Sequence, residues 1–111
     1  MKTTTLSALS EPNRLLIVEL LRNGPLSVGE IADRLKFQQP QASKHLKVLA
    51  DAGLVEVSRI AQRRIYQLRP EPLQELDAWL NKFRNEWDDK FDGLSEYLAE
   101  LQKGERKPDR L

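Results

Sequence analysis

At 111 residues the chain has room for one domain, or one domain with an accessory helix, and 40% hydrophobic and 32% charged residues make an ordinary soluble composition. It has no cysteine, which excludes disulfides, thiol redox switching and thiolate metal sites, and apolar runs such as Leu15 to Val18 are far too short to span a bilayer. The formal charge of +1 hides an asymmetry: residues 1–69 carry 11 Lys+Arg against 6 Asp+Glu, and residues 70–111 carry 7 against 11, a basic front and an acidic rear.

Met1 is followed by Lys2-Thr3-Thr4-Thr5 with no apolar signal region, so the chain reads as cytoplasmic. Thr3 to Leu9 is a short helical lead-in with Leu6 and Leu9 as its apolar points. Ser10-Glu11-Pro12 starts a helix, with Ser10 able to cap and Pro12 tolerated in a first turn. That helix runs to about Asn23, where Gly24-Pro25 ends it. Ser27-Val28-Gly29-Glu30 has the S-x-x-E form of a capping box and opens a helix to about Leu35.

A turn through Lys36 and Phe37 leads to a helix over 39–52, closed by Gly53. At 100° per residue Ala42, Leu46 and Leu49 share one edge, Pro40, Lys44 and Lys47 lie opposite, and Gln41 and Ser43 flank them. This helix holds no acid before Asp51, whereas an ordinary solvated face mixes Glu with Lys. Amides, a hydroxyl and lysines on an exposed helix are what hydrogen bonding to base edges and phosphates requires. His45 sits nearer the apolar edge. It serves either as a base or phosphate contact or as a partly buried residue bonding to a neighbouring backbone group.

From Leu54 the period changes to two. Leu54–Ser58 and Arg64–Leu68 read as two strands of a hairpin whose tip, Arg59-Ile60-Ala61-Gln62-Arg63, carries Arg59 and Arg63 beside Arg64. Three guanidiniums there are costly to gather unless a polyanion neutralises them. Pro70 and Pro72 introduce a last helix from about Pro72 to Gln102, with Leu73, Leu76, Leu80, Phe83, Trp87, Phe91, Leu94, Leu98 and Leu101 at spacings of three and four. Such a stripe suggests burial against a second copy. The step from Phe83 through Trp87 to Phe91 favours a globular helix pair over an extended coiled coil. The expected organisation is one domain over 1–102 and a disordered tail over 103–111.

Helix, helix, helix, reading helix, hairpin, long helix is a mainly α arrangement with a two-stranded β-hairpin wing, a winged helix-turn-helix. Its pieces resemble the ArsR/SmtB family of small bacterial repressors over about residues 6–101. The matching pieces are Leu9-Ser10-Glu11-Pro12-Asn13-Arg14, Leu26-Ser27-Val28-Gly29-Glu30-Ile31-Ala32, Gln41-Ala42-Ser43-Lys44-His45-Leu46-Lys47-Val48-Leu49 and Ala52-Gly53-Leu54-Val55. The resemblance implies a homodimer, joined through the first and last helices, that occupies a pseudo-palindromic operator in double-stranded DNA. Interface residues would be Leu6, Leu9, Leu76, Leu80, Phe83, Trp87, Phe91, Leu94 and Leu98. DNA contacts would come from Gln39, Pro40, Ser43 and Lys44, with Gln41, His45 and Lys47 adjacent, and from Arg59, Arg63 and Arg64 over a wing spanning 58–66.

Metal-sensing members of that family place cysteines where Ser27 and Gly29 stand here, and others pair Asp/His and His/Glu ligands on the last helix. This chain has no cysteine and one histidine, on the reading helix, so the likeness is to the members that do not sense metal, and no cofactor is expected. An effector, small molecule or protein, stays open, as does a rival use of the winged helix to grip an acidic protein. Many relatives carry Gly at the wing tip, where Ala61-Gln62 stands here, and a longer tip loop is expected for that reason. The carboxylates Asp88, Asp89 and Asp92 read as a solvated helix face rather than a cation site. The stripe of Trp79, Phe83, Trp87 and Phe91 reads as packing surface more than as a ligand pocket. Enzyme chemistry is not expected, for want of a cysteine nucleophile, a Gly-rich phosphate loop or a second histidine.

Overall fold

Ile17, Ile31, Leu46, Leu49 and Leu54 are wholly withdrawn from solvent, and they come from three helices and the segment entering the wing. The structure, a computed structural model, describes residues 1–104; the expected tail lies outside the described residues from 105 onward. The elements are α1 (Thr3–Leu9), α2 (Pro12–Leu21), β1 (Leu26–Ser27), α3 (Val28–Leu35), α4 (Gln39–Asp51), β2 (Val55–Ile60), β3 (Arg63–Leu68) and α5 (Pro70–Gly104). The chain divides into two compact units, Met1–Leu76 and a second that starts at Asp77.

In the first unit, α2, α3 and α4 bury Ile17, Val18, Leu21, Ile31, Ala42, Leu46 and Leu49 against Leu54, Val55 and Tyr66. Truncating any of the wholly buried Leu or Ile side chains to Ala would cost about 2–5 kcal/mol. Gly53, at φ +77°, closes α4, and the N–H of Leu54 then bonds back to the Leu49 carbonyl. α5 begins at Pro70, two residues earlier than the sequence suggests. Both prolines stand in a first turn, whose N–H groups have no partner inside the helix.

Three local expectations are corrected. Glu11, not Ser10, caps α2: its carboxylate accepts the N–H groups of Asn13 and Arg14 at 2.7 and 3.0 Å. The Ser10 hydroxyl instead donates to the Ser7 carbonyl at 2.7 Å, a bond to the end of the preceding helix. Arg14 completes the junction, its Nε donating to the Ala8 carbonyl at 2.7 Å and so satisfying the C-terminus of α1.

The second correction is a third strand. Leu26 and Ser27 pair antiparallel with Tyr66 and Ile65, so the sheet has the order β1-β3-β2 rather than two strands. Two residues are too few to show a period, and the S-x-x-E pattern marks Ser27 as a helix cap. It is both.

The third concerns the wing tip. Ile60 pairs with Arg63, leaving the two-residue turn Ala61-Gln62 instead of a longer loop. Only Ala61 takes a positive φ, +57°, so this is not a type I′ turn, which needs it at both central residues.

In the second unit Trp79, Phe83 and Trp87 follow one another a turn apart, the first pair edge-to-face and the second tilted. Ring centroids lie 4.9 and 6.4 Å apart along the helix, and Trp87, Phe91, Leu94, Tyr97, Leu98 and Leu101 are exposed. No helix among the described residues is long and apolar enough to cross a membrane.

Candidate nucleic-acid interface

The buried edge of α4 consists of Ala42, Leu46 and Leu49, so the helix can turn only one way. Gln39, Pro40, Gln41, Lys44 and Lys47 are exposed and Ser43 is half-buried. Lys47 meets Asp51 at 3.5 Å, a solvated i,i+4 pair of small worth, and among the described residues Lys44 has no acidic partner. α2 and α3 both start with a side-chain cap, whereas the α4 N-cap, Gln38, makes none and the first turn holds no acid. The Gln39 and Gln41 N–H groups at the start of α4 (Pro40 has none) are therefore left without a side-chain cap, with the helix dipole aligned to favour an anion.

His45 lies inward, beside a carboxylate rather than a backbone group. Its side chain is 16% exposed, its Nδ1 lies 4.0 Å from the Glu11 carboxylate, and its ring sits 6.0 Å from Phe37. The N–H bonds from Arg14 and Asn13 hold the Glu11 carboxyl below its ordinary value, the Arg14 bond most, with His45 adding to them.

The wing arginines separate by register. Arg59 and Arg64 are direct cross-strand partners, on the strand face that continues from Val55 and Tyr66. Arg63 alternates to the other face, beside Ile60, and its guanidinium meets the Glu30 carboxylate at 3.3 Å. Glu30 is already engaged by the capping box: its carboxylate accepts the Ser27 N–H at 2.8 Å while the Ser27 hydroxyl accepts the Glu30 N–H at 3.1 Å. Those bonds to Ser27 hold the Glu30 carboxyl below its ordinary value, and the charges of Arg63 and Arg34 add to the effect.

Ser27, Val28, Gly29, Gln39, Ser43, Gln62, Arg63 and Arg64 line one open cleft of about 440 Å³. The cleft brings Gln39 and Ser43 of the reading helix together with two of the three wing arginines. Lys47 and Arg59 do not line it. Gly29 matters here, since a Cβ at that position would stand 3.3 Å from the Gln39 amide nitrogen.

Sequence reasoning missed Gly29 and Gln62 as walls of this cleft, Glu30 as the partner of Arg63 at its border, and Ile60, 60% exposed at the wing tip. The S-x-x-E signal identified Glu30 as a cap, but nothing local to it pointed to Arg63. No group of three or more His, Cys, Asp or Glu side chains gathers into a cation site among the described residues.

Comparison with known proteins points to a family. Residues 11–57 match the family described as bacterial regulatory protein, arsR family. An HTH-type transcriptional regulator of Mycobacterium tuberculosis is 46% identical over 68% of this chain and 71% of its own length. The transcriptional repressor SdpR of Bacillus subtilis is 33% identical over 73% of this chain and 90% of its own. Among solved structures, the homodimeric winged helix-turn-helix DNA-binding domain of a possible ArsR-family transcriptional regulator from Mycobacterium bovis superposes with a TM-score of 0.62. It is 30% identical, over 79% of this chain and 82% of that one.

Proposed function

Because the chain belongs to the arsR family of bacterial regulatory proteins, a family of transcriptional regulators rather than enzymes, we propose that it represses transcription as a homodimer bound to a pseudo-palindromic operator. Residues 1–102 serve as one DNA-binding and dimerising domain. α4 enters the major groove, where Gln39, Gln41 and Ser43 read base edges and Lys44 and Lys47 approach phosphates, with Pro40 packed at the groove wall and His45 orienting the helix from within. Of the wing arginines Arg59, Arg63 and Arg64, the first and last hold the flanking backbone, while Arg63 stands beside them paired with Glu30.

The observation that carries this reading is the start of α4: an uncapped helix N-terminus with exposed amides and a lysine without an acidic partner among the described residues, where Gln39 and Ser43 share a cleft with Arg63 and Arg64. Dimerisation is supported by the exposed stripe Phe83, Trp87, Phe91, Leu94 and Leu98, which a second copy would cover, and by the homodimeric relative. Leu76 and Leu80 extend the stripe and are half-buried. Leu6 is exposed and open to a partner, whereas Leu9 packs on its own core. A metal ion is not the signal in this reading: the chain has no thiolate, and its one imidazole is taken up beside Glu11.

Hydroxyl-radical footprinting on a duplex that the protein enriches from a random pool tests the proposal. Two protected patches about 34 Å apart on one face of the DNA are expected. A single patch, or none, contradicts it.

A further inference from the structure

Arg63 is the one wing arginine whose charge is answered by a partner among the described residues, a carboxylate tied down by the capping box. We propose that Glu30 is a built-in counter-ion for Arg63, a positioning residue that withholds one cation per protomer from DNA and so sets the sequence-independent part of the affinity. The proposal rests on the DNA-binding reading above and adds to it a division of labour among the arginines.

Three features make the pair more than a chance surface meeting. First, the Glu30 carboxylate cannot swing freely, because releasing Arg63 by rotating away would also leave the Ser27 N–H without its acceptor. Second, Arg63 is the residue just after a two-residue turn, so its backbone is held by its pairing with Ile60. Third, Arg63 itself lines the cleft shared with Gln39 and Ser43, so a phosphate arriving there meets Arg63 already occupied. Guanidinium bound to carboxylate releases no counter-ion from DNA unless phosphate displaces the carboxylate, and the displaced carboxylate then repels the same phosphates. Arg59 and Arg64 carry no such partner among the described residues. They supply the wing's free charge.

The test is a thermodynamic cycle in the full chain, read by fluorescence anisotropy on a labelled duplex of mixed sequence across a range of salt. Glu30→Gln keeps a carbonyl to accept the Ser27 N–H and removes only the charge. It is expected to tighten binding and to steepen the slope of log K against log salt by about 0.9 per protomer, the contribution of one neutralised phosphate. Arg63→Gln in the native background is expected to flatten the slope much less than Arg64→Gln does. In the Glu30→Gln background it should remove the whole gain.

An unchanged slope in Glu30→Gln overturns the proposal, as does a gain that persists when Arg63→Gln is combined with it, since that gain would come from removing any acid near DNA. Circular dichroism of each variant separates an unfolded protein from an unaltered one, and Arg63→Gln, which leaves the capping box intact, decides the matter should Glu30→Gln unfold its helix. If the native protein itself binds without salt dependence, the DNA-binding reading has failed rather than this one.

Discussion

Arg59 and Arg64 face each other across the wing, one rung from its tip, as direct cross-strand partners. Like charges so placed repel, and a strand pair tolerates them more readily when a third party of opposite charge binds between them. Their nearest neighbours on the same face are Tyr66, buried, and Val57, 46% exposed, so the two guanidiniums stand beyond the point where the sheet leaves the core. In the DNA-binding reading proposed above, the pair clamps a phosphate.

Replacing Arg64 by Gln should weaken binding to every sequence by the same factor and flatten the salt slope by about 0.9 for each phosphate it no longer neutralises. Thermal stability should hold or rise, because the facing charge is relieved. Anisotropy titrations on a specific and an unrelated duplex, with melting curves alongside, check both halves.

Gly29 leaves room for the Gln39 side chain. In Gly29→Ala the new methyl would stand 3.3 Å from the Gln39 amide nitrogen, and the flexible amide must shift to accommodate it. Folding should be little changed or improved, since Ala favours a helix more than Gly by about 1 kcal/mol. Preference between operator variants that differ at the base Gln39 meets should fall. Equal discrimination by Gly29→Ala and the native chain would remove Gln39 from the reading set.

Acid should unfold this protein partly through its two helix caps. Glu11 and Glu30 are both held below the ordinary carboxyl value of 4.5 when folded. A folded value below the unfolded one means that the stabilisation is fully present above about pH 4.5, declines as pH drops past that value, and is gone once pH lies below the folded values. The double variant Glu11→Gln, Glu30→Gln should therefore show a flatter fall of Tm with acid than the native chain, when melts are followed by circular dichroism through that range. The same steepness in both would mean that other groups carry the acid response.

Much of this was legible in the sequence because the signals were local. The capping box at Ser27 and Glu30, the helix stop at Gly53 and the buried edge of Ala42, Leu46 and Leu49 each rest on residues within a few positions of one another, and the structure holds all three. What escaped was set by partners distant in the chain, by strain, or by competition between two local bonds. β1 exists because β3 offers it an edge. Glu11 displaced Ser10 as the cap because the Ser10 hydroxyl found a carbonyl behind it. The tight wing turn uses a positive φ at Ala61, which sequence rules reserve for Gly or Asn. Glu30 meets Arg63 only once the sheet has formed.

The apolar stripe of the second unit gives a separate test. Phe91, 63% exposed, and Trp87, 52% exposed, are residues that a second copy would cover in the proposed dimer. Phe91→Glu and Trp87→Glu should shift the protein from dimer to monomer in sedimentation velocity and weaken operator binding more than binding to unrelated DNA, because two half-sites are no longer engaged together. A variant that stays dimeric would place the interface elsewhere.

The most direct measurement compares the native chain with Gln41→Ala on two duplexes, one enriched by the protein from a random pool and one of the same composition in scrambled order, by anisotropy over a range of salt. The native chain should prefer the enriched duplex by about a thousandfold or more. Gln41→Ala should lose much of that preference while keeping its salt slope, because an amide at the groove specifies and the lysines and arginines hold. If no sequence is enriched, and both duplexes bind alike at every salt concentration, α4 does not read DNA.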